Sequence, residues 1–338
     1  MSDRINLSRQ FLKDHGWADA KRQFLAGDAS DRTYDRLTRA NGESAVLMDS
    51  PPGKGDDPAA FVKIAEHLHG AGLSPPRVLA KDLTHGFLLI EDLGDALFAR
   101  VLEKTPALEP DLYRAAAQVL LHLQSQPVPA GLDNLSAQDW AAAAAFALDW
   151  YAHSITGKQP DKSEFIATLA KALRDHADGP RVMILRDYHA ENLLLLPDRQ
   201  AAASVGLLDF QLAQFGQPGY DLVSLLQDAR RDVSASLATE IVTEFAKAKG
   251  SDPDAFLRAY AVLGAQRALR ILGIFARLCV VGGKPSYLRL LPRVWGHLQQ
   301  NLAHPALSDF RSLCRAALPE PTEDVIQRIR DKCATPSP

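Results

Sequence analysis

The chain has 338 residues, 46% hydrophobic and 23% charged, enough for one large domain or two lobes with an ample core. A formal net charge of −3 lacks the basic excess that nucleic-acid binding needs, and no signal-like start or uncharged run of about 20 residues points to a membrane. Three cysteines in no metal-binding spacing suit a reducing compartment, so a cytoplasmic, monomeric protein without nucleic-acid or membrane partners is expected.

Leu7 to His15 reads as a short amphipathic helix with Leu7, Phe11 and Leu12 on one side. Gly27-Asp28-Ala29-Ser30 is a polar turn between two strand-like runs, the second spanning Arg32 to Thr38. Ala45 to Met48 is a further strand, stopped by Pro51-Pro52-Gly53. Helical periodicity runs over 59–71 through Phe61, Ile64, Ala65 and Leu68. Pro75-Pro76 then breaks the chain, and Gly86 to Ile90 is a buried strand leading into Glu91-Asp92-Leu93-Gly94. Helices are expected over 111–125, 138–152 (N-cap Ser136) and 163–175. Short apolar strands at 182–185, 193–196 and 205–208 form the centre, followed by helices over about 218–231, 234–249, 253–281 and 286–303. A short helix and a frayed tail close the chain. This order predicts an α+β fold of two lobes. Residues 1–92 would be an N-lobe with a nucleotide-binding sheet and phosphate loop. Residues 93–338 would be a C-lobe with catalytic loop, metal site and acceptor pocket.

The central strands frame Asp187, Asn192 five residues on, and Asp209 just before Phe210. Kinase chemistry needs such a set: one carboxylate to take the acceptor's proton, and an Asn and a second Asp to hold Mg²⁺ against the phosphates of ATP. A capped turn between buried strands gives the same local pattern. Only twelve residues separate Asp209 from Asp221, too few for a peptide platform, so a small-molecule acceptor is expected. The turn Gly27 to Ser30 is either a plain hairpin or a cover of backbone amides over phosphates. Glu91-Asp92-Leu93 is either an acidic linker or the segment that pairs with adenine. His189 either touches a phosphate or braces the loop; Asp221 either binds an acceptor hydroxyl or orients the loop. Arg267, Arg270 and Arg277 lie on one apolar helix, as a solvated row or as the lining of an anionic pocket. Met48 stands where a strand lysine usually grips the α- and β-phosphates, and Glu66 is not clearly placed to pair with one. Lys63, Lys54, Arg32 and Arg36 are the alternative cations.

Asp187-x-x-x-x-Asn192 with Asp209-Phe210 resembles the aminoglycoside phosphotransferase/choline kinase superfamily. Gly27-Asp28-Ala29-Ser30-x-Arg32-x-Tyr34, Leu47-Met48-Asp49-Ser50-Pro51-Pro52 and Leu272-Gly-Ile-Phe-Ala-Arg277 narrow the likeness to the bacterial anomeric N-acetylmuramate/N-acetylglucosamine kinases of cell-wall recycling, over about residues 22–300. The resemblance implies a bilobal protein-kinase-like fold with ATP and Mg²⁺. It also implies transfer to the C1 hydroxyl of an N-acetylated amino sugar in peptidoglycan recycling. Asp187 would be the base, and Asn192 and Asp209 the metal ligands. Gly27, Asp28, Ala29, Ser30, Arg32, Glu91, Asp92 and Leu93 would hold the nucleotide; Tyr188, His189, Gln211, Asp221 and Arg277 would face the sugar. Asp31 departs from the aromatic residue expected there. The alternatives are a kinase for another acceptor (an aminoglycoside, choline or another sugar) and a non-catalytic nucleotide-binding module.

Overall fold

The computed structural model describes residues 2–27, 32–55, 57–159 and 161–334. Nine strands are present among them: β1 (Lys21–Gly27), β2 (Thr33–Thr38), β3 (Ser44–Asp49), β4 (Val78–Asp82), β5 (Phe87–Glu91), β6 (Val182–Ile184), β7 (Leu193–Leu195), β8 (Val205–Leu207) and β9 (Gln214–Gly216). The chain divides into two compact units. One comprises 1–129 with 190–213, and the other 130–189 with 214–338.

In the first unit an antiparallel sheet has the order β1-β2-β3-β5-β4, and its middle strands β3 and β5 are buried on both faces. The run Ala45-Val46-Leu47-Met48 is buried throughout, so alternate side chains serve opposite sides of the sheet. Ala45, Leu47, Leu37, Phe87 and Leu89 pack with Phe11 and Leu12 of the helix Ser2–Asp14 and with Trp17. Met48 belongs to the other face. Gly86 turns β4 into β5 at φ +76°, where an added Cβ would stand 1.9 Å from the Ser50 carbonyl oxygen. No other residue fits there.

The β7–β8 hairpin is fastened to the same unit along both edges. The Leu207 amide donates to the Ser74 carbonyl (3.0 Å), and the Leu195 amide donates to the Ala96 carbonyl (2.9 Å). Phe210, just past the hairpin, is fully buried, its ring centroid 4.8 Å from that of Phe61 on the helix Pro58–Gly70.

The second unit is helical around Pro253–Val280. This helix starts at an Asp252 N-cap whose side chain accepts from the Ala255 amide, with Pro253 at the first helical position. It is long and apolar enough to cross a membrane, yet most of its apolar stretch is buried. Its bulk packs on Ala137–Ala144, Ser163–His176 and Leu291–Leu302. Close approach depends on Gly273, where a Cβ would lie 2.3 Å from the backbone of Phe146.

Ser136 does cap its helix, in a reciprocal capping box with Asp139. The expected helix 138–152 is not continuous: Ala137–Ala144 gives way to a π-helical stretch, Ala147–Ala152. The helix expected over 218–231 is only Tyr220–Leu226, and 286–303 begins as a 3₁₀ turn before Leu291–Leu302. Helices Phe98–Lys104 and Ser308–Ala317 lie outside the expected elements.

Candidate active site

Hairpin register brings the two expected metal ligands together. Leu193 pairs with Leu207, so Asn192 sits opposite Leu208, whose amide donates to the Asn192 carbonyl (2.9 Å). Asp209 follows directly, in left-handed backbone at φ 55°. A non-glycine residue held there marks a position fixed by its surroundings, often for function. Buried Phe210 anchors it from one side. Its Oδ1 accepts from Arg32 Nη2 (3.1 Å) and Gln211 Nε2 (2.8 Å). Among the described residues no three His, Cys, Asp or Glu side chains gather into a metal cage. A kinase-type Mg²⁺ site needs none, because phosphate oxygens and waters complete the shell. Asn192 and Asp209 therefore fit such an ion.

Asp187 belongs to the second unit, which parts from the first between His189 and Ala190. Its loop is held from behind. Asp221, fully buried in the first turn of Tyr220–Leu226, accepts from the Leu185 amide (2.6 Å) and the Arg186 amide (2.9 Å). These bonds hold Arg186 at φ 74°, also in left-handed backbone. At the next peptide, the Ser224 hydroxyl donates to the Arg186 carbonyl (3.2 Å), and Arg267 Nη2 donates to Ser224. Of the two readings of Asp221, the bonds favour loop orientation. Burial pushes its pKa up to about 6 against the pull of the two amides and of Arg267.

Tyr188 and His189 are buried rather than open. Burial, then the charges of Arg230 and Arg267, hold His189 well below the usual histidine range, so it is a neutral imidazole. Its Nε2 lies 3.4 Å from Arg230 Nη1, which suits a brace.

The linker side chains are committed to ion pairs. Glu91 accepts from Arg199 (2.6 Å), and Asp92 and Asp95 accept from Arg36 (both 2.9 Å). Leu93 lies across β8, its Cδ1 3.2 Å from where a Cβ on Gly206 would stand. Gly27 ends the exposed strand β1, while Asp28, Ala29 and Ser30 lie outside the described residues. Arg277 is exposed, with its guanidinium 5.6 Å from the Trp150 ring centre; Arg267 is the inward arginine of that helix.

A model of the phosphotransferase enzyme family matches residues 21–260. The chain belongs to this family. The N-acetylmuramate/N-acetylglucosamine kinase of Caulobacter vibrioides is 36% identical, covering 92% of this chain and 96% of that protein. The protein of the same name from Pseudomonas aeruginosa is 33% identical over 91% of this chain and 92% of its own length. Among solved structures, a choline/ethanolamine kinase family protein from Mesorhizobium loti superposes with a TM-score of 0.61 at 14% identity, covering 97% of this chain and 99% of that one. The fold of this phosphotransferase is thus protein-kinase-like, with a small antiparallel sheet and a large helical part, and the chain is a kinase.

Sequence reasoning missed Ser224 and Arg199, and gave no ground for choosing Arg267 over Arg277. The available signal was the apolar run around Arg267, Leu263-Gly264-Ala265 before it and Ala268-Leu269 after it, which is core.

Proposed function

We propose that this kinase transfers the γ-phosphate of ATP to the anomeric hydroxyl of N-acetylmuramate, N-acetylglucosamine or both, yielding the sugar 1-phosphate in peptidoglycan recycling. The observation that carries the reading is near full-length similarity to kinases named for these two sugars. The fixed Asp187–Arg186 loop and the Asn192–Asp209 pair supply the groups the reaction needs. Buried Arg267 beside the loop favours a neutral or anionic acceptor over the cations that aminoglycoside or choline kinases take.

In this mechanism Asp187 orients the C1 hydroxyl and accepts its proton. A hemiacetal hydroxyl gives that proton up more readily than an ordinary alcohol. Mg²⁺, when bound by Asn192 and Asp209, supplies positive charge against the phosphates. Residues 1–92 would hold the nucleotide. Gly27 to Ser30 would meet the phosphates and the backbone of 91–93 the adenine, since the Glu91 and Asp92 carboxylates are already paired. Residues 93–338 would carry the catalytic loop, the metal ligands and the sugar pocket, with Gln211 toward the acceptor, Tyr188 and His189 bracing the loop and Asp221 orienting it. The test is ADP release across a panel of amino sugars, choline and aminoglycosides. Stimulation by the N-acetylated sugars alone is expected; stimulation by choline or an aminoglycoside instead contradicts the reading.

Asp221 gives this loop a pH dependence. Its carboxylate form holds both loop amides, so turnover should fall on the acid side of about 6 as the group protonates. The stability linkage has the opposite sign. A folded-state pKa raised from 3.8 means the folded protein binds this proton more readily, so between pH 3.8 and 6 the group's contribution to stability declines as pH rises. Over the whole window that is about 3 kcal/mol. Asp221→Asn should turn over more slowly and lose the acid limb near 6. A limb that persists unchanged would assign it to another group.

A further inference from the structure

The long helix Pro253–Val280 ends beside the turn 331–334. Carbonyls near a helix C-terminus lose their intrahelical partners and take others. The Cys279 carbonyl accepts from the Gly283 amide (3.1 Å), the Ala334 amide (3.2 Å) and the Cys333 thiol (3.2 Å). In return the Cys279 thiol donates to the carbonyl of Ile329 (3.9 Å), in the last turn of the helix Glu323–Arg330. The turn itself is held by the Cys333 amide on the Arg330 carbonyl (2.9 Å), with Ala334 in left-handed backbone at φ 54°. Two cysteines 54 residues apart in sequence are thus brought together, and their side chains meet.

The three cysteines differ in what can reach them. Cys279 and Cys314 are buried, and burial pushes both thiols up to about 12, so they stay protonated and inert toward a dissolved oxidant. Cys333 is partly exposed. Ile329, fully buried, anchors the helix that leads to it. An oxidant arriving from solvent therefore meets Cys333 first, with Cys279 in contact behind it. An accessible thiol with a second one in reach is what reversible oxidation requires.

We propose that Cys333 and Cys279 are a peroxide-oxidisable pair that closes to a disulfide and staples residues 323–334 to the end of the long helix. The Cys333 sulfur, having given up its proton, attacks one oxygen of hydrogen peroxide. The O–O bond breaks, sulfur is oxidised to the sulfenic acid, and the departing hydroxide takes up the thiol proton as water. The Cys279 sulfur then attacks the sulfenic sulfur. An S–S bond forms, the S–O bond breaks, and the hydroxide leaves with the Cys279 proton as a second water. Two thiols and one hydrogen peroxide give one disulfide and two waters. In a reducing compartment the pair rests open, and a small dithiol reopens it by exchange. The site shares no residue with the catalytic loop or the Asn192–Asp209 pair, so it stands apart from the choice of acceptor.

The test treats the full chain with one equivalent of hydrogen peroxide and follows free thiols, intact mass and a peptide map made without reductant. Free thiols in the wild type should fall from three to one, with the loss of two hydrogens and a peptide joining Cys279 to Cys333. Dithiothreitol should restore all three. The melting temperature of the oxidised protein should rise by about 5 °C, because the link closes a long loop in the unfolded chain. Cys314→Ser should close the same link, while thiol loss in Cys333→Ser should be at least about 10-fold slower. In Cys279→Ser, Cys333 should stop at the sulfenic acid and be trapped by dimedone. A wild type in which Cys333 accumulates as sulfenic or sulfinic acid beside a free Cys279 would overturn the proposal. So would a link through Cys314 or between two chains.

Discussion

Asp187→Asn should lower turnover by about 10²- to 10³-fold while leaving ATP affinity within about twofold. The amide keeps the shape of the side chain but cannot take the acceptor's proton. The loss is expected toward the lower end of the range for general-base removal, because an anomeric hydroxyl is more acidic than an ordinary alcohol. Steady-state ADP release and equilibrium ATP binding measure the two quantities separately. The surrounding loop should survive the change. Asp221 and Ser224 hold its backbone at Leu185 and Arg186. Near-normal turnover in the folded variant would remove Asp187 from the role of base.

Asp209→Asn carries the second large effect. The substitution replaces a charged oxygen donor by a neutral one in a pair that Mg²⁺ would share with Asn192, so turnover should fall about 10³-fold. A further readout does not depend on turnover. Mg²⁺ should tighten ATP binding to the wild type and have little effect on the variant. The variant also leaves Arg32 facing an amide where it faced a carboxylate, so metal-free ATP should bind at least as well as to the wild type. Loss of metal-free ATP binding together with the metal effect would point to collapse of the 209–211 turn rather than removal of a ligand.

Much of this arrangement was legible because it is local. Apolar runs at 182–185, 193–196 and 205–208 become β6, β7 and β8, and strand pairing alone carries Asn192 to the residue before Asp209. The N-cap at Ser136 was readable for the same reason, since a capping box spans only four residues. Helix continuity was not. The run from Ala141 to Ala145 has no side chain large enough to signal where α-helical packing yields to the π-helical turn at Ala147–Ala152. At the break, the backbone of Phe146 lies against Gly273 of the helix Pro253–Val280, a contact distant in sequence.

The function of individual polar residues was less readable still, because it depends on partners distant in sequence. Asp221 could have bound the acceptor or the loop, and the choice rests on amides 35 and 36 residues away. Arg267 and Arg277 recur on one helix, but periodicity does not say which turn faces the loop and which stacks on Trp150. Glu91 and Asp92 read equally well as linker or nucleotide contacts until Arg199 and Arg36 are seen to hold them.

The position of the transferred phosphate tests the central claim most directly. Incubation with ATP, Mg²⁺ and N-acetylmuramate or N-acetylglucosamine, followed by phosphorus and proton–carbon NMR of the product, reads it from the phosphorus coupling to the sugar carbons. Coupling to C1 and its anomeric proton is the expected result. Coupling to C6, or phosphate on any other hydroxyl, would contradict the anomeric assignment while leaving the chain a kinase.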